Sequence, residues 1–528
     1  MIRDPIREGL ASGWKVTDAA TLDRDVDLET DVVVIGSGAG GGVTADALSA
    51  AGLDVVIVEE GPLVSSTDFR MREREAYPQL YQESSARQTA DKSITILQGR
   101  CVGGGTTVNW TSSFRTPPRT LAHWKDAIGL KRTGELDPWF ARMEERLAIA
   151  PWGMAPNENN DVLRRGCAKL GLSHGVIARN VRGCANLGYC GMGCPTNAKQ
   201  SMLVTTIPAA LSRGARLVQR ARVRQLVMDG DRVTACEAVG VAGNGAEPAP
   251  FTVRIRARHF VLSAGGIGSP ALLIRSGAPD PANIAGRRTF LHPTVISAAL
   301  LPQRVDGHAG APQSVYSDHF LDTAPLDGPA GFKLESGPTH PVLVGITLPG
   351  FGEDHARWMA KFPNVQVVIA LLRDGFHPDS RGGRVTLASD GTPVLDYVMP
   401  EYLWEGARRA YLAMAEIQFA AGAQSVMPVH ENAAPYASLR EAREAIQALS
   451  LRALAARVVS AHVMGGCPMG PDVRRAVVDE DGRHHHLRNL SVHDGSVFPT
   501  SLAANPQLSI YAHSARFSQA LARSLKGG

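Results

Sequence analysis

Residues 31–61 read DVVVIGSGAGGGVTADALSAAGLDVVIVEEG, and no other stretch constrains the fold as tightly. The apolar run Val32–Ile35 suits a strand buried on both faces. Gly36, Gly38 and Gly41 follow in G-x-G-x-x-G spacing, Thr44–Ala51 read as a small-residue helix, and a second apolar run, Val55–Val58, ends on Glu59. This order predicts a strand–turn–helix–strand unit that holds a dinucleotide. Gly36 permits the tight turn, Gly38 lets the backbone approach a pyrophosphate, and Gly41 lets the helix pack on the sheet. The helix N-terminus attracts the phosphate charge. Glu59 stands where a carboxylate takes ribose hydroxyls. The motif alone leaves FAD and NAD both open, and its bland alternative is a glycine-rich turn in an ordinary α/β protein.

The chain has 528 residues, enough for more than one domain. Its 44% hydrophobic and 20% charged content describes a soluble globular protein. A formal net charge of +4 is mild for this length and gives no case for nucleic acid. No apolar run is long enough for a transmembrane helix. The charged start, MIRDPIREGL, does not read as a secretory signal, so the expectation is cytoplasmic, with peripheral or partner-mediated membrane association left open. Seven cysteines argue against a disulfide scaffold.

Residues 1–30 read as an extension before the first strand. Ser93–Trp110 pass from an apolar run into glycines and hydroxyl residues, as a backbone-rich loop against a ligand would. Residues 203–263 alternate like strands, with Asp229-Gly230 and Gly243-Asn244 as turns. Further strands are expected in 364–398 around Asp390-Gly391, and helices over 401–424 and 438–457.

Five separated segments resemble the glucose–methanol–choline (GMC) family of oxidoreductases. Besides the first stretch, they are GRCVGGGTTVNW (99–110), SAGGIGSPALLIRSG (263–277), AHVMGGCPMG (461–470) and LSVHDGSVFPTSLAANPQLSIYAHSAR (490–516). The resemblance implies FAD and an α/β fold, in which a Rossmann-like FAD-binding domain is interleaved with a substrate domain on an antiparallel sheet. It assigns 1–115, 205–292 and 456–528 to the FAD-binding domain. The ranges 116–204 and 293–455 go to the substrate domain, with a Cys-rich loop at 182–201. The GGC form of the fourth segment is similar to cholesterol oxidases and long-chain alcohol oxidases. Val108 stands where some relatives attach FAD through a histidine, so FAD is expected to be non-covalent.

The resemblance also implies roles. His462 is the active-site base that takes the hydroxyl proton while hydride goes to flavin N5, and its near-neutral unperturbed pKa suits that task. Asn505 holds the alcohol oxygen. Arg100, Gly103, Gly104, Asn109, Val223, Ala264, Asp494, Gly495 and Pro506 join Gly36, Gly38, Gly41 and Glu59 at the cofactor. His292 is read as structural.

Cys184, Cys190 and Cys194 fall in a C-x5-C-x3-C pattern among glycines. Three readings stand: an iron–sulfur cluster, free thiols or a disulfide, and zinc. The spacing is similar to membrane-linked members of the family that carry a three-iron cluster, which favours a dehydrogenase. The leading function is oxidation of a small-molecule alcohol to an aldehyde or ketone, with electrons passed to a non-NAD acceptor such as a quinone or a cytochrome, through the cluster at Cys184, Cys190 and Cys194 where one is held. The alternatives are an oxygen-dependent oxidase, a lyase or decarboxylase on the same scaffold, and an electron carrier. Segments 299–355 and 425–440 mix apolar residues with few charges, which points to an apolar substrate.

Overall fold

Val32–Ile35 and Val55–Val58 are buried on both faces because they lie in the middle of an eight-stranded sheet. The computed structural model describes residues 2–527. Strand Val26–Ile35 pairs in parallel with Val55–Val58 on one side and with Glu247–Leu262 on the other. Arg216–Gln219 and then Lys15–Asp18 complete one edge, and the hairpin strands Arg232–Ala242 and Ala221–Asp229 complete the other. Leu490–Val492 adds in parallel to the end of Glu247–Leu262. The helix Ala39–Ala50 covers one face, where Val43 and Leu48 share a core with Val32, Val34, Leu508 and Tyr511.

Small residues let this helix approach closely. A Cβ on Gly40 would stand 1.6 Å from the His493 carbonyl oxygen, and one on Gly42 would stand 2.7 Å from Met202 Cβ. The C-terminal helix Gln507–Lys526 lies against it and closes the layer.

The first thirty residues are more than an extension. Pro5–Ala11 form a helix capped by Asp4, and Lys15–Asp18 make the outer parallel strand against Arg216–Gln219. The first central strand also starts at Val26, six residues before its apolar run. Its early part alternates between exposed and half-buried positions, so charged residues share the strand with apolar ones. The expected helix over 438–457 covers only Leu439–Ala448.

The second large sheet runs in the order Ile94–Ile96, Val458–Ser460, Thr294–Leu300, Val365–Leu372, Phe332–Ser336, Val315–Ser317 and Gly175–Val176. Its two faces do different things, because alternate residues of a strand point oppositely. Val295 pairs with Ala370, and Leu334 also with Ala370, on the face packed against helix Glu401–Ala420. Ser297 on that face donates to Gln418 of the helix. Thr294, Ile296 and Ala298 pair with Leu371, Ile369 and Val367 on the opposite face.

The chain crosses between the layers more often than the motif-based ranges allow. Ile94–Ile96 and Val458–Ser460, expected in the FAD-binding domain, form one end of this second sheet. Phe140, Met143, Met192 and Met202, expected in the substrate domain, pack into the core beside helix Ala39–Ala50. Apolar side chains join whichever core buries them, whatever the motif boundary. Among the described residues, no helix is long and apolar enough to cross a membrane.

Gly40→Ala forces a methyl group onto backbone that cannot move aside. It is expected to destabilise the fold by about 3 kcal/mol, at the upper end of overpacking costs, read as a lowered midpoint of thermal unfolding.

Candidate active site

A cavity of about 730 Å³ lies between the two sheets. Glycine turns form one end. Gly36 has φ +101° and a Cβ there would meet Ser263 O at 2.3 Å. Gly38 approaches Gly104, whose Cα is the nearest atom to its missing Cβ at 3.9 Å. Gly104 itself has φ +53°. A Cβ on Gly104 would stand 2.7 Å from Gly38 Cα, so the two backbone turns come together at the cavity wall only because neither carries a side chain there. Helix Ala39–Ala50 begins here with no side-chain cap, leaving its first N–H groups to attract an anion.

Ser37 joins the two turns. Its Oγ donates to Glu59 Oε2 at 2.6 Å and accepts from Gly103 N at 3.0 Å. Glu59 also accepts from Ser37 N at 3.0 Å and, through Oε1, from Gly61 N at 2.8 Å. Burial raises the Glu59 carboxyl, and these donors offset part of that rise. The side chain expected at the ribose therefore also holds the loop that faces it.

The other expected cofactor residues divide into two groups. Arg100, Asn109, Val223, Ala264, Asp494, Gly495 and Pro506 line the cavity with Gly36, Gly38, Glu59 and Gly104. Asp494 accepts from Gly265 N and Ser269 Oγ, which fixes the start of helix Gly265–Arg275 beneath the cavity. Arg100 has a buried Nε with no partner. Gly41 and Gly103 lie behind the wall. A Cβ on Gly41 would meet Gly36 O at 1.8 Å, so its role is in the turn as much as in helix packing. Gly103 serves through its N–H to Ser37.

His462 and Asn505 line the opposite end. His462 Nδ1 lies 3.3 Å from His292 Nδ1. Burial, and then the charge of Lys333, hold His462 down at about 4, so it is neutral at pH 7. Asn505 Nδ2 donates to Glu335 Oε2 at 3.5 Å, while its buried carbonyl oxygen has no protein partner. Gln313 Nε2 donates to the same carboxylate oxygen at 2.6 Å. Burial raises Glu335 to about 7 against the opposing pull of Lys333.

Lys333 and Glu335 come from strand Phe332–Ser336, opposite Leu371 and Ile369, and so share the face turned away from helix Glu401–Ala420. Lys333 pairs with Asp318 at 2.7 Å and lies 3.6 Å from the Phe114 ring centre. The sequence reading missed Lys333, Glu335 and Gln313, and left His292 structural. The available signal was the alternation in FKLES, which sets Lys and Glu on one face of a strand. Two charges in alternation ordinarily mark a solvent face.

The metal readings of the three loop cysteines gain no support from their placement. Among the described residues, no group of three or more Cys, His, Asp and Glu side chains is placed to hold a metal ion. Each sulfur has its own neighbour instead: Asn186 N for Cys184, Arg179 for Cys190 and Thr196 for Cys194. None of the three lines the large cavity. The loop has a bracing role through Lys199, whose buried ammonium donates to the carbonyls of Thr107, Asn109 and Cys190. Burial pushes that lysine down to about 8.

Residues 77–294 and 378–514 match the GMC oxidoreductase family, and residues 31–70 match an FAD binding domain. The chain belongs to the GMC oxidoreductases, and its dinucleotide is FAD. An uncharacterized GMC-type oxidoreductase of Mycobacterium tuberculosis is 31% identical over 94% of this chain and 76% of its own length. A long-chain-alcohol oxidase of Arabidopsis thaliana is 28% identical over 92% of this chain and 68% of its own length. Pyridoxine 4-oxidase from Mesorbium loti shares the fold at a TM-score of 0.67 and 20% identity, covering 93% of this chain and 99% of that one.

Ser37→Ala removes the hydroxyl that ties Glu59 to Gly103. By the worth of hydrogen bonds to charged groups, FAD retention should weaken about tenfold or more, measured as flavin released from the purified variant on dilution.

Proposed function

We propose that this chain oxidises an apolar alcohol to an aldehyde or ketone, with His462 as the proton acceptor and oxygen as the final electron acceptor. Bound FAD supplies the hydride acceptor. The observation that carries the reading is a neutral histidine and an asparagine amide, facing a largely apolar wall at one end of a flavin-sized cavity.

A base must be unprotonated before it can accept a proton, and His462 is held so by burial and by Lys333. Its Nε2 makes no hydrogen bond to another described residue and is free for a ligand. Asn505 offers its second amide hydrogen to the alcohol oxygen, which leaves the hydroxyl hydrogen for His462. The cavity wall beyond them includes Ile296, Val344, Leu348, Val367, Ile369 and Val429. A sugar would leave its hydroxyls without partners there, whereas an alkyl or ring alcohol buries apolar surface. The long-chain-alcohol oxidases among the relatives support both the apolar substrate and oxygen as acceptor. Val108 and Asn109 at the flavin-facing loop supply no attachment histidine, in keeping with non-covalent FAD.

The deciding experiment mixes the holoenzyme with a long-chain primary alcohol without oxygen, then admits air. Bleaching of the flavin band followed by recovery in air is the expected result. Bleaching without recovery would move the acceptor to a quinone or protein. No bleaching with any alcohol would overturn the reading in favour of lyase-type chemistry on this scaffold.

Two substitutions test the base. His462→Ala should lower kcat by about 10²–10⁴, the usual worth of general base catalysis. For the wild type, kcat/KM should fall on the acid side as His462 takes a proton. Lys333→Met removes a repelling cation, raises the His462 pKa, and should move that acid limb to higher pH.

A further inference from the structure

We propose that His292 is a positioning residue that accepts the Nδ1–H of His462 and so leaves His462 Nε2 free to take the substrate proton. The inference rests on the reading of His462 as the base.

Two imidazole nitrogens 3.3 Å apart must share one hydrogen, so one ring donates and the other accepts. If His292 donated, His462 would carry its own proton on Nε2 and could not act as a base. If His462 donates, Nε2 presents its lone pair to the cavity that His462 lines. His292 stays neutral in either case. It is fully buried, and burial first, then the neighbouring His462 and Lys333, keep it far below the ordinary histidine range. A proton gained by His462 therefore stays there, and the bond to His292 becomes charge-assisted. His462 and Lys333 are the titratable or charged groups that face this ring.

The backbone adds an independent observation. His292 has φ +51° although it is not glycine, and it precedes Pro293, which disfavours helical backbone on either account. The conformation is held from both sides. Ser460 Oγ donates to Leu291 O and accepts from His462 N, while Thr294 Oγ1 donates to His292 O. Its Nε2 is buried and has no partner, so fold stability alone gives this residue type no advantage there. A strained, unsatisfied histidine aimed at a second histidine marks a functional contact.

The test compares His292→Leu with His292→Asn. Asparagine tolerates positive φ and can present a carbonyl oxygen to the His462 N–H. The leucine variant should lose about tenfold or more in kcat by the cost of a misoriented base, with KM for the alcohol little changed. Losing the acceptor also lowers the His462 pKa, so the acid limb of kcat/KM should move to lower pH, opposite in sign to Lys333→Met. The asparagine variant should recover most of both. In a His462→Ala background, His292→Leu should cost nothing further. Unchanged kcat and pH profile in His292→Leu, beside a crippled His462→Ala, would overturn this inference alone. An active His462→Ala would instead overturn the base reading. Should the leucine variant not fold, nitrogen NMR of ¹⁵N-histidine-labelled holoenzyme decides between the two tautomers: a proton on His462 Nδ1 supports the proposal, and one on Nε2 defeats it.

Discussion

The Ser37 hydroxyl, which accepts from Gly103 N and donates to Glu59, holds together the two backbone turns on which the cofactor cavity depends. Each turn comes from a different part of the chain, one after the first central strand and one after Gln98. The facing positions, Gly38 and Gly104, carry no side chains, since glycine is what permits the approach. The lock is therefore the buried serine of the first turn, which accepts from the second turn's Gly103 N–H and donates to Glu59 at the end of the neighbouring strand. Glu59 gains the polar partners that make its burial tolerable. Lys199 plays the matching part on the far side of the second turn, where its three carbonyl partners tie that turn to the cysteine-bearing loop.

The second sheet extends the same economy to the chemistry. Its outer face is an ordinary apolar contact with helix Glu401–Ala420. Its inner face carries Lys333 and Glu335 at one strand and aliphatic side chains at the next two. A buried ammonium needs compensation, and this one has Asp318 together with the faces of Phe114 and Tyr316. Burial first, with this cation adding to it, keeps both histidines from charging. One strand thus adds to the control of protonation on two other segments.

Much of the nucleotide-binding layer was legible because its signals are local. Val55–Val58 falls where its apolar run predicts, and the turn residues at Asp229-Gly230 and Asp390-Gly391 join the strands expected of them. Lys15–Asp18 was not legible, since four mixed residues become a strand only when Arg216–Gln219 offers an edge. His462 and Asn505 could be found through motifs. Lys333 and Glu335 could not, because charge in alternation looks the same whether it faces water or a buried site. The cysteine spacing bounds where the sulfurs can go, but it does not say which neighbours they take, and here these are Arg179, Asn186 and Thr196.

The division of labour on the inner face of the second sheet bears on how such a protein can change. Lys333 and Glu335 sit on one strand, His462 and Asn505 on loops near the C-terminus, and the aliphatic wall on neighbouring strands and the helix Pro341–Thr347. Drift in the wall reshapes which molecules fit without disturbing the groups that govern proton affinity. A lineage could therefore explore new substrates one aliphatic residue at a time while its redox chemistry stays in working order throughout.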